Sequence, residues 1–197
     1  MRKKVSVAMI TLGIAGASLL ATGSASSHGY GTQPPSRQSL CAAGTVKDCG
    51  AIQWEPQSVE GPKGFPAAGP ADGKICSAGN SSFAPLDDPR GGNWPATALK
   101  AGQGFTFTWK MTARHATTDF RYYITKQGWD PSKPLTRAAL ESEPFMTVPL
   151  GGKQPPEVWS QQGTIPTGHT GRHLILGVWN IADTGNAFYS CADVNLS

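Results

Sequence analysis

The sequence predicts an all-β protein: an immunoglobulin/fibronectin-III-like antiparallel β-sandwich with a long loop and short-helix insertion before its main strands. Two observations lead there. The chain is sparing with charge and rich in glycine (24) and proline (16), the balance of a loop-rich extracellular β protein rather than a helical one. Its second half carries several short β-rich runs divided by turn residues, with no alternation of strand and helix patterns.

Residues 1–27 read as a secretory signal peptide. Arg2, Lys3 and Lys4 make a basic start, residues 5–20 a mostly apolar core, and Ala25 and Ser27 the small residues a signal peptidase needs at −3 and −1. Cuts after Ala25 or Ser26 satisfy the same rule. The apolar run is short and holds Thr11, Gly13 and Gly16, which disfavours a retained membrane anchor. Residues 28–197 then form one domain, long enough for a sizeable core. Losing the three leader cations takes the formal charge from +4 to +1. With the remaining basic residues scattered among acids, nucleic acid is excluded as a partner, and no membrane association is expected after cleavage.

From residue 29 to about 100, Gly, Pro, Ser and Asn punctuate the chain without periodicity. That stretch reads as long loops, the place to expect a substrate-facing surface. Strict alternation then begins, with Phe105, Phe107, Trp109 and Met111 on one face and Thr106, Thr108 and Lys110 on the other, the mark of a half-buried strand. Further strands are expected over 120–126, 157–164, 174–181 and 187–196, with a helical turn or two over 135–141. Trp109 and Trp179 fall on these strands and read as core. The four cysteines, Cys41, Cys49, Cys76 and Cys191, suit an oxidising compartment. They allow three pairings and contain no C-x-x-C, so a metal role for them is disfavoured.

A cut after Ser27 would make His28 the first residue. Its α-amine and imidazole Nδ1 then close one chelate ring, and one further imidazole completes a three-nitrogen set that suits copper better than a hard, oxygen-loving ion. His115 stands where the first regular strand runs out, so a rigid sheet can hold its ring at an edge of the sandwich. His169 and His173 have the i, i+4 spacing of a zinc pair, but Gly168 and Gly171 flank a turn and no glutamate lies between them. They read as solvent-facing or packing residues. No nucleophile elbow, phosphate-binding loop or dinucleotide fingerprint occurs. Glu55 and Glu60 are the obvious carboxylate pair for a glycoside hydrolase, but spacing alone does not establish the separation that chemistry requires.

Pro35-Ser36-Arg37, the run Trp54-Glu55-Pro56-Gln57-Ser58-Val59-Glu60-Gly61, Thr112-Ala113-Arg114-His115, Tyr123-Ile124-Thr125-Lys126 with Trp129-Asp130, and the run from Val178 through Trp179-Asn180 to Phe188-Tyr189 occur in this order along the mature chain. Together with the processed histidine they resemble the bacterial lytic polysaccharide monooxygenases of auxiliary activity family 10, notably compact chitin-active actinobacterial members. The resemblance implies a secreted enzyme that oxidises C1 of β-1,4-linked crystalline chitin at one copper ion. It implies a flat face, an external electron donor, hydrogen peroxide or dioxygen as co-substrate, and a monomer. His28 and His115 would hold copper, Phe188 and Ala113 would restrict its two axial sides, and Glu60 would be a carboxylate beside it. Trp54 would stack on a pyranose while Glu55, Gln57, Thr112, Asp183 and Asn186 hydrogen-bond the sugar. The pairing Cys41–Cys49 and Cys76–Cys191 is also implied by the resemblance. A non-catalytic chitin-binding protein, a copper carrier, and cellulose as the substrate are the alternatives.

Overall fold

The computed structural model describes residues 28–197; the leader reading falls outside the described residues. Two sheets pack face to face as an antiparallel sandwich. The smaller joins β1 (His28–Gln33), β4 (Gly104–Ala113) and β7 (Val158–Thr164) in the order β1-β4-β7. The larger runs β2 (Glu60–Pro62), β9 (Asn186–Leu196), β8 (Gly171–Ile181), β5 (Thr117–Ile124) and β6 (Met146–Pro149), and β3 (Thr97–Leu99) pairs with β9 as the parallel exception.

The alternation read from residues 105–111 sets the interior. Phe107, Trp109 and Met111 are buried, while Lys110 faces solvent. They meet Phe120, Tyr122, Trp179 and Phe188 from the larger sheet in one aromatic core. Trp179 stacks on Phe120 at 5.9 Å and Trp109 meets Phe120 edge-on at 5.5 Å, the geometries that ring quadrupoles favour. The Trp109 indole N–H donates to the Tyr122 hydroxyl at 2.9 Å, and burial pushes the Tyr122 phenol well above its ordinary pKa.

Residues 29–100 hold the expected loops and short helix together with strands that the sequence did not show. They hold β1, β2, β3, the helix α1 (Arg37–Ala42) and several 3₁₀ turns. α1 starts where Ser36 accepts a hydrogen bond from the Ser39 N–H, an N-cap. This segment covers the outer face of the larger sheet and builds a second core there, with Ile52, Val59, Phe65, Ile75 and Leu86 packing on Tyr123, Leu176, Val178 and Tyr189. The Cys76–Cys191 disulfide ties it to β9, and Cys41–Cys49 closes the loop after α1. Arg37 donates from Nε to Asp193 at 2.8 Å with both side chains buried, and lies over the Trp94 ring. The helical expectation over 135–141 shrinks to one 3₁₀ turn, Arg137–Ala139.

Candidate metal centre and binding face

His28 opens β1 and stands opposite Ala113, the last residue of β4, so the start of β1 and the end of β4 share one edge of the sandwich. The register shifts between His28 and Gly29, an irregularity of the kind that re-aims a strand-end side chain. β1 lies close against the core because its glycines permit it. A Cβ on Gly29 would stand 2.7 Å from Met111 Sδ, and one on Gly31 2.8 Å from Ser190 Oγ.

His115 follows two residues after Ala113, in the connection to β5, and is buried. Its carbonyl accepts from Thr117 Oγ1 at 3.0 Å, and that hydroxyl accepts from the Trp179 indole at 2.8 Å. The Ala182 N–H donates to the Ala116 carbonyl at 2.8 Å, drawing the segment after β8 onto the same connection. There Asp183 sets its Oδ1 2.6 Å from His115 Nδ1. The carboxylate accepts, so Nδ1 carries the proton and Nε2 is left with the lone pair a metal requires. Asp183 was expected among the sugar contacts. Its side chain is half exposed, yet its one hydrogen bond among the described residues orients a histidine. The 68-residue separation left no sequence signal for that pairing.

Phe188 is fully buried, its ring centroid 6.5 Å from that of His28 and 5.0 Å from Trp179. Glu60 on β2 pairs with Phe188 on β9. Its Oε1 accepts from the Asn186 amide at 2.8 Å, so two residues expected near the centre hold one another. Ala113, expected to restrict one side of the metal, is half-buried opposite His28.

Trp54 is 82% exposed, so its indole is open to solvent. It terminates the 3₁₀ turn Gly50–Gln53. The next turn, Pro56–Ser58, packs against β1, and Glu55 and Gln57 are half-buried there. Thr112 and Asn186 are exposed. His169 and His173 lie elsewhere. His173 is buried near the start of β8, with His169 edge-on to it at 5.0 Å. His173 Nδ1 meets the Thr125 carbonyl at 3.0 Å, so these two rings pack.

Among the described residues no three His, Cys, Asp or Glu side chains gather as a metal site. Two imidazoles and the amine that cleavage after Ser27 would free are a nitrogen-only donor set, and the residues present fit copper.

Comparison with known proteins points the same way. A family model described as lytic polysaccharide mono-oxygenase, cellulose-degrading, matches residues 28–194. A GlcNAc-binding protein A of Shewanella oneidensis is 44% identical over 197 residues, covering all of this chain and 41% of that protein. The chain thus spans about two fifths of the length of that relative. An AA10 lytic polysaccharide monooxygenase from Streptomyces lividans superposes with a TM-score of 0.84 at 61% identity, covering 85% of this chain and 99% of that one. A Bacillus amyloliquefaciens CBM33 protein in complex with Cu(I) superposes with a TM-score of 0.77 at 42% identity, covering 86% and 100%.

Proposed function

Because the chain belongs to the lytic polysaccharide monooxygenases of auxiliary activity family 10, we propose that it is a secreted, monomeric copper enzyme. Its reaction is the oxidative cleavage of β-1,4 bonds in crystalline chitin by hydroxylation at C1. The observation that carries this reading is the placement of His28 opposite Ala113 with His115 two residues beyond, its Nδ1 already committed to Asp183. Chitin rather than cellulose is supported by the GlcNAc-binding name of the Shewanella relative. The family model's own description favours cellulose, so both polymers belong in the test.

Bound copper would supply the one-electron chemistry that couples an external donor and hydrogen peroxide or dioxygen to hydroxylation of the sugar. The chain's residues do the rest. Removal of residues 1–27 frees the amine of His28, and Asp183 holds His115 with Nε2 available. Phe188 sets an apolar ring beside that of His28, where it would shield the metal without ligating it. Asn186 fixes one oxygen of Glu60, leaving the carboxylate to hold a proton or a hydroxyl beside the histidines. Trp54 offers an indole face to a pyranose, and Glu55, Gln57 and Thr112 offer polar groups around it. An exposed aromatic on an open face suits a polymer surface, where a deep cleft would require lifting a chain from its lattice. Hydroxylated C1 expels the neighbouring sugar and leaves a lactone or aldonic acid end.

The test is mass spectrometry of chitin and cellulose incubated in parallel with copper-loaded protein, ascorbate and peroxide. Oxidised oligosaccharides heavier by one oxygen are expected from chitin. His115→Ala should abolish them together with the copper spectrum while the fold survives. Oxidised products persisting in that variant would overturn the two-histidine assignment, and retention on chitin without any oxidised product would make the protein a binder.

A further inference from the structure

On the outer face of the larger sheet, a cavity of about 200 Å³ is lined by Lys63, Gly64, Phe65, Thr118, Arg121 and Asn180. That is room for about seven waters at liquid density. Its polar groups are unbalanced. Asp119, buried beneath, spends Oδ2 on Arg121 Nε and Nη2 at 3.1 and 2.9 Å, and Oδ1 on the Asn180 amide at 2.6 Å. The nearby Tyr123 hydroxyl donates to the Phe65 carbonyl at 3.3 Å. Two of the five guanidinium donors of Arg121 are used on Asp119. Lys63 spends one N–H on the Ile181 carbonyl. Three donors of Arg121, two of Lys63 and the Thr118 hydroxyl belong to side chains that line this one space. Asp119 is the neighbouring carboxylate and its oxygens are taken, while Glu143 is felt at Tyr123 and does not line the cavity.

An excess of fixed donors carrying a net positive charge calls for an anionic acceptor, and a guanidinium paired with an ammonium matches a carboxylate. We propose that this niche binds a small organic anion through its carboxylate. The cavity lies on the same molecular edge as His115, since Asn180 and Thr118 flank the two segments that Asp183 and Ala182 join to that histidine. Binding here does not depend on copper or on the oxidative reading.

Amide chemical shifts of the isotopically labelled, metal-free protein, titrated with sodium gluconate at constant ionic strength, give the test, with glucose as the uncharged control of similar size. Saturable shifts confined to Gly64, Thr118, Arg121 and Asn180 are expected with gluconate and not with glucose. Lys63→Met should weaken gluconate binding by about tenfold, the loss of a charged hydrogen bond. Arg121→Gln should weaken it as much but exposes Asp119, so Lys63→Met, which leaves the buried pair intact, is the deciding variant. No saturable shift, equal shifts with glucose, or unchanged affinity in Lys63→Met would each overturn the proposal.

Discussion

The two faces of the larger sheet are covered by different means. The inner face packs against β4 and its neighbours through rings that arrive on strands, among them Phe107, Trp109, Phe120 and Trp179, at regular two-residue spacing. The outer face packs against single residues from the 3₁₀ turns and loops of the insertion, such as Ile52, Val59, Ile75 and Leu86, held down by Cys76–Cys191 and by the Arg37–Asp193 pair. The proposed site lies at the seam. His28, His115 and Phe188 come from strand ends of the sandwich, whereas Trp54, Glu55, Gln57 and Glu60 come from the insertion. A regular, closely packed core thus positions the groups whose geometry must be exact for a metal, and an irregular layer supplies groups that need only present a surface.

The contrast breaks most severely at the inner core. Trp109→Ala removes a fully buried indole and leaves the Tyr122 hydroxyl without its donor. It should cost about 3–5 kcal/mol, as large-to-small core changes do, read from urea unfolding. A loss under about 1 kcal/mol would mean that the strand-borne core is not the main source of stability.

At the rim the effect should reverse. Trp54→Ala touches an 82% exposed side chain, so stability should move by no more than about 0.5 kcal/mol. Retention on crystalline chitin should weaken by about two- to tenfold, the size of a lost stacking contact. Unchanged retention would take Trp54 out of the binding face.

The same contrast decides what the sequence discloses. β4 is legible because a half-buried strand writes its burial as alternation, whereas β5, β7, β8 and β9 show only as β-rich runs between turn residues, and β8 and β9, buried on both faces, do not alternate. β1 is not legible, because Gly29 and Gly31 are there to let backbone approach Met111 and Ser190, and a strand chosen for absent side chains has no apolar pattern. β2, β3 and β6 are three or four residues long, too short to show a period. His28 and His115 are recognisable as candidates from chemistry and resemblance. The grip of Asp183 on His115 and of Asn186 on Glu60 arises only when loops 68 and 126 residues apart meet, and local sequence carries no trace of such pairs.

The smallest effect lies at the opposite end of β8, where His173 shows how far the sandwich tolerates a buried titratable group. Burial lowers its pKa, and the neighbouring His169 lowers it further, while the Thr125 and Thr170 carbonyls partly oppose this by accepting from its ring. Glu141 lies 3.5 Å from His169 Nε2, so the His169 ring stands between that carboxylate and His173. With the folded pKa below the ordinary value of about 6.5, the unfolded chain binds the proton first as pH falls. The stability this neutral ring contributes is therefore full above that value, and is lost progressively as pH drops from about 6.5 towards the lower folded pKa. His173→Asn keeps a donor for the Thr125 carbonyl and removes the titration. The stability difference between wild type and variant, measured by urea unfolding at pH 7.5 and pH 5, should shift against the wild type at the lower pH. A difference that stays constant between the two conditions would show that this ring is equally protonated in the folded and unfolded chains.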